Sequence, residues 1–218
     1  MSDNTDRQRG RSPIDELPLT GESLALDLVN TTYIRGGVRG HLVDALTTPE
    51  DLRNWLVSHQ EVLPAGPMGR LETSVRAGRG HLERFLELRG SLRSLASALT
   101  EGEAMRPSDL AVVNDAAGLA VRWRELRVDG GAGEGSGRLL AADHWPEPDA
   151  VLVLLGATAC AAVELFGGPD AAKLRACEAP GCILYFVRRH ARRAWCTTGC
   201  GNRVRVSRHS RRSREADR

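Results

Sequence analysis

Three features of this 218-residue sequence predict an α+β fold: a mainly helical body with a short β-hairpin or sheet, followed by a small four-cysteine module. Apolar residues recur at helical spacing over long stretches of the first 170 positions. Two segments of alternating character flank a glycine run at 130–137, as strands flank a hairpin tip. Four of the five cysteines fall in two close pairs near the C-terminus, Cys177/Cys182 and Cys196/Cys200.

Taken in order, residues 1–17 are polar and rich in Arg and Asp, and read as a disordered tail. Leu24–Thr31 alternates, with Leu24, Leu26 and Leu28 on one side, and reads as a strand; Gly36, Gly37 and Gly40 mark a loop after it. Thr48-Pro-Glu-Asp51 is a helix start with a Thr cap, Pro in the first turn and acids facing the dipole. That helix carries Leu52, Trp55 and Leu56 and ends before Pro64. From Met68 to Leu99 the pattern Leu71, Val75, Leu82, Phe85, Leu86, Leu92, Leu95, Leu99 gives one long helix, or two broken near Gly78-Arg-Gly80. Pro107-Ser-Asp starts another helix. Val121–Val128 and Arg138–Ala142 form the hairpin. Its glycine tip lacks dinucleotide or phosphate-loop spacing and reads as a connector. Pro148–Phe166 is an apolar helix closed by Gly167-Gly-Pro169, which separates a body of residues 18–168 from a module of 170–214.

Each cysteine pair can make a tight turn whose sulfurs face one ion, and Pro180-Gly181 sits inside the first. Four thiolates around one structural Zn²⁺ would let a segment with little core of its own fold, independently of the body. Two disulfides are disfavoured because nothing else looks secreted. The N-terminus has no apolar signal region, and the apolar run Ala150–Phe166 contains Glu164 and is short for a membrane span. The expected location is cytoplasmic, where thiols stay reduced. Cys160 stands alone among small apolar residues and reads as a buried hydrophobe.

Charge is segregated behind a net of +2. Residues 173–218 hold 13 basic groups against three acidic, and residues 1–172 hold 17 against 25. An acidic body with a basic end suggests a polyanion contact confined to that end, nucleic acid above all. Four cysteines close a zinc shell, which argues against catalysis at the metal. No Ser/His/Asp, Cys/His or His-Glu-x-x-His grouping suggests an enzyme. Asp27 and Asn30, the polar positions of the first apolar segment, read as groups that satisfy nearby backbone, with a ligand-sensing pocket as the alternative.

The run Trp195-Cys196-Thr197-Thr198-Gly199-Cys200-Gly201-Asn202-Arg203 strongly resembles the CGNR zinc finger, whose Cys-Gly-Asn-Arg signature is present letter for letter. Leu24-Ala-Leu-Asp-Leu-Val-Asn-Thr31 is similar to the opening of the ABATE domain, with Leu28 where that family often has Phe; Asp51-Leu-Arg-Asn-Trp-Leu56 also resembles it. The resemblance covers roughly residues 18–212. It implies a transcription regulator of a stress-induced class, with an N-terminal domain of its own fold and a treble-clef-like finger. In such a finger the first cysteine pair forms a knuckle. A hairpin then uses Leu184–Val187 and Ala194-Trp195 as strands, with 188–193 as a basic turn. The second pair opens a helix from Thr198 to Arg212, about 22 Å long.

On that arrangement Arg188, Arg189, Arg192, Arg193, Arg205, Arg208 and Arg212 are the candidate nucleic-acid contacts. Arg203 lies one helical step from Cys200 and, with Asn202, reads as supporting the −2 charge of the zinc centre, with direct contact to DNA as the alternative. Trp195 and Phe186 read as the finger's small core, and His190 as exposed rather than a ligand. The expectation is a DNA-binding regulator whose body senses a small-molecule effector or forms a homodimer. The rival expectation is a zinc-stapled interaction module for RNA or an acidic protein surface.

Overall fold

The computed structural model describes residues 12–129 and 138–216, with side chains for 12–128 and 138–209 of them. Residues 1–11 of the expected disordered tail 1–17 and the glycine tip 130–137 lie outside those residues. From Ser12 onward the supposed tail is ordered. Ser12 caps a 3₁₀ turn, Pro13–Glu16, which buries Ile14 in the core.

Leu24–Val29 is a helix, α1, and not the expected strand. All six of its residues are buried, so neither a period of 2 nor one of 3.6 stands out against a polar face. The Ser23 hydroxyl, which accepts from the Leu26 N–H at 3.4 Å, decides for the helix. A hairpin missed in the sequence follows: β1 (Thr32–Arg35) pairs antiparallel with β2 (His41–Asp44) across the Gly36-Gly37 turn.

The helices start where cap chemistry puts them. α2 (Pro49–Ser58) opens on a full capping box: the Thr48 hydroxyl accepts from the Asp51 N–H, and the Asp51 carboxylate accepts from the Thr48 N–H. The long periodic stretch is two helices, α3 (Ala65–Thr73) and α4 (Arg79–Glu101), broken before Gly78. α5 (Pro107–Ala117) precedes the hairpin of β3 (Trp123–Asp129) and β4 (Arg138–His144). α6 (Ala150–Gly167) is capped by Asp149, whose Oδ1 accepts from Val151 N–H at 2.8 Å.

α6 has the length and mean hydropathy, 2.1, of a membrane span, but it is the central helix of the core, packed among α1, α3, α4 and α5. Its own Leu154 and, around it, Trp55, Phe85 and Leu92 are fully buried, with Trp55 and Phe85 edge to face at 6.1 Å.

The C-terminal part consists of β5 (Leu174–Ala176), β6 (Tyr185–Val187) and α7 (Thr198–Ala216). β6 pairs with β5, before the first cysteine pair; the expected second strand at Ala194-Trp195 does not form. The knuckle is therefore the turn between β5 and β6. Nor is this part separate. Leu174, Leu184, Phe186, Val187 and three of the zinc-module cysteines join the same buried hydrophobic cluster as α1, α2, α4 and α6.

Candidate metal centre and nucleic-acid face

The knuckle forms because Gly181 adopts φ +69°, closing a turn in which the Cys182 N–H donates to the Ala179 carbonyl at 2.9 Å. Cys177 N–H donates to the Leu184 carbonyl, holding the strand beyond it. The second pair sits at the start of α7, where the Thr197 hydroxyl accepts from Cys200 N–H at 3.2 Å. The partial positive charge of a helix N-terminus therefore faces these sulfurs.

The sulfurs of Cys177, Cys182, Cys196 and Cys200 all lie within 4.8 Å of one another, with Cys182–Cys196 at 3.7 Å and Cys196–Cys200 at 3.3 Å. Tetrahedral zinc with bonds of about 2.3 Å separates its sulfurs by about 3.8 Å, so this donor set fits one Zn²⁺ with little rearrangement. The Cys182 thiol donates to Cys177 and holds it low, about 2, while Cys182 itself is pushed up to about 12 and Cys196 is raised too. A dication removes that conflict by favouring all four thiolates at once. This is a structural zinc site: four protein sulfurs leave no position for a substrate.

Arg203 Nη2 donates to Cys200 Sγ at 2.8 Å. Its side chain packs on Gly37 at the tip of the β1–β2 turn, where an added Cβ would lie 3.0 Å from Arg203 Cδ. Gly37 has φ +69°, and its backbone also lies so close to Gly181 that a side chain on Gly181 would collide with it. The double glycine of the body thus reaches the zinc knuckle. Asn202, expected beside Arg203 at the metal, is instead exposed and accepts from Arg205.

Four polar side chains whose partners the sequence did not reveal dock the module on the body. Asn30 Nδ2 donates to the Tyr185 carbonyl at 2.9 Å, and its Oδ1 accepts from Tyr185 N–H at 3.0 Å. Glu22 accepts from Val187 N–H at 3.0 Å and pairs with Arg193. Arg93 on α4 donates to the carbonyls of Ile183, Val29 and Thr32, and burial lowers its pKa. Arg193 donates to the Val187 and Cys196 carbonyls and lies over the Phe186 ring. Arg193, an expected nucleic-acid contact, is thus engaged inside the joint, and Asn30 is wholly buried with both ends of its amide on the backbone of β6, away from the cleft that Asp27 lines.

Asp27 does line a cleft of about 1080 Å³, with His59, Trp145, Arg122 and Glu164 among its walls. Its carboxylate accepts from Gly21 and Glu22 N–H and sits 3.2 Å from His59 Nε2, so local groups already satisfy it. Cys160 borders the same cleft, half-buried, and burial raises its thiol pKa.

The remaining candidate arginines stand apart. Arg188, Arg189, Arg192, Arg205 and Arg208 are exposed and, among the described residues, pair with no carboxylate. The Arg212 side chain lies outside the described ones. In the body Arg35, Arg89, Arg106 and Arg122 each hold an acidic partner, while Arg39, Arg76 and Arg84 are exposed and hold none among the described residues; what distinguishes the module is that its unpaired arginines are gathered on one small unit. His190 is exposed, away from the sulfurs.

The sequence pattern of the ABATE domain, a family described as "Putative stress-induced transcription regulator", matches residues 22–169. The chain belongs to this family. The CGNR zinc finger matches residues 173–213, so the ABATE domain spans α1 to α6 and the CGNR finger holds the metal centre. No curated protein matches the chain. In these terms Arg203, the arginine of the CGNR signature, reaches back from α7 to both the metal sulfur and the ABATE loop.

Proposed function

We propose that this zinc-binding member of a regulator family acts on DNA through its finger, with the loop 188–192 and the exposed side of α7 as the contacting surface. The observation that carries this reading is the set of exposed, acid-free arginines Arg188, Arg189, Arg192, Arg205 and Arg208, all borne on elements anchored at the zinc. A lone surface arginine without a partner is common; five on one zinc-anchored module are what phosphate contact requires. α7 supplies a rod of the diameter that a major groove admits. The finger of residues 170–214 and the body of 18–168 act as one regulator, the body presenting the finger rigidly. The family description adds induction by stress as the setting, and the absence of an open metal position argues for a non-enzymatic role.

Fluorescence anisotropy with the full-length zinc-loaded protein tests this directly. The reading expects salt-dependent binding to duplex DNA that disappears when zinc is stripped, and preference for particular sequences in a selection from random duplexes. Equal binding to RNA and to every duplex would favour the rival, a zinc-stapled module for polyanions.

A further inference from the structure

We propose that the β3–β4 hairpin is a dimerisation arm, on which two copies of this chain pair edge to edge through β3, antiparallel and centred on Leu126.

β3 and β4 form a two-stranded sheet in which each strand's only hydrogen-bonded neighbour, among the described residues, is the other. The register sets Leu126 opposite Ala141 and Val128 opposite Leu139, so these four side chains share one face. That face is open: Leu126 is 72% exposed, Val128 62% and Leu139 63%. The other face is furnished, with Trp123 stacked on His144 at 4.5 Å and Glu125 held by Arg127 and His144. A lone two-stranded ribbon is marginal in water and gains stability from further strands, while an uncovered edge is a template for pairing.

The sequence of β3 selects a second copy as the occupant. Antiparallel pairing that puts Leu126 opposite the partner's Leu126 also puts Glu125 opposite the partner's Arg127, and Arg127 opposite the partner's Glu125. Both charge pairs are favourable and related by the two-fold axis, as a self-complementary interface requires. Because cross-strand pairs share a face, only registers that keep this parity are allowed. β4 offers no such charge pairs. Centred on Ala141 it sets Leu140 against Ala142, and centred on Leu140 it sets Arg138 against Ala142. Pairing through β3 yields a four-stranded sheet with Leu126 of both copies at its centre and Ala141 flanking each, while each Val128 sits between Leu139 and the partner's Arg124, so the two apolar patches join across the two-fold axis.

Sedimentation equilibrium on the full-length zinc-loaded protein reads this without any DNA, so it stands or falls separately from the proposed function. The wild type is expected to dimerise. Leu126→Lys, which sets two ammonium groups side by side on the axis, is expected to be monomeric, with unchanged circular dichroism and zinc content. Glu125→Arg and Arg127→Glu should each weaken the dimer on the order of tenfold, and the double reversal should restore it. That recovery also excludes misfolding as the cause of the single-variant losses. A wild type that stays monomeric overturns the proposal. So does a Leu126→Lys dimer as strong as wild type, or a double reversal that does not recover.

Discussion

The side chain of Asn30 closes two hydrogen bonds with the backbone of Tyr185, 155 residues away, so that one body residue acts as an added strand position beside β6. This fully buried pair, with Arg93 and Glu22, makes the metal module part of the body's packing rather than an appendage. The predictions below follow from that coupling and from the placement of charge around the zinc.

Asn30→Ala orphans the buried N–H and C=O of Tyr185, at a cost of about 2–4 kcal/mol from two unsatisfied backbone groups. Urea unfolding should show that loss, and zinc should be surrendered to a chelator faster than from wild type. An unchanged midpoint would mean that water replaces the amide at no cost.

Cys196→Ser should lose stoichiometric zinc, while Cys160→Ala keeps it. The sequence alone suggested that only the module would then melt. Because Leu174, Phe186 and Val187 sit in the common core, loss of metal should instead lower the unfolding temperature of the whole chain in one transition. Calorimetry showing an undisturbed body transition would contradict this coupling.

Legibility followed locality. The cysteine spacing, the Thr48 capping box, the Gly78 break and the Pro107 start are signals within a few residues, and each was readable. Leu24–Val29 was misread because a short helix buried on every side has no polar face to set its period. The joint was invisible for another reason. Asn30 with Tyr185, Arg93 with Ile183 and Glu22 with Val187 are each more than 80 residues apart, and nothing local marks them. Arg193 shows the same limit: arginine composition pointed to nucleic acid, whereas its neighbours Glu22 and Phe186 hold it inward. The Gly36-Gly37 turn was legible as a loop but not as a seat for the zinc knuckle.

Asp149→Ala removes the cap of the central helix and should cost about 1 kcal/mol at neutral pH. Burial would raise the Asp149 pKa, but its bonds from His81 and from the Val151 and Leu152 N–H groups outweigh that and hold it below the usual carboxylate range. The carboxylate's contribution is therefore present above the unfolded carboxylate range and fades as pH falls through the depressed native value. Unfolding curves of variant and wild type should converge in acid and differ at pH 7; a constant difference across that range would contradict the assignment.

Arg203→Ala removes the donor to Cys200 Sγ and should loosen zinc by about 10–100-fold in a chelator competition. Arg208→Ala, far along the exposed side of α7, should leave zinc affinity unchanged. If Arg203→Ala kept its zinc as tightly as wild type while losing DNA, Arg203 would be a contact residue instead.

The most direct test of the account is the salt dependence of duplex DNA affinity for wild type and for the variant with Arg188, Arg192, Arg205 and Arg208 all replaced by Ala. Each phosphate contact contributes about 0.9 to the slope of log affinity against log salt. The account predicts that the variant binds far more weakly and with a slope flatter by up to about 3.6, while its zinc content and unfolding midpoint match wild type. Wild-type affinity and slope in that variant would contradict the claim that this finger meets DNA through its free arginines.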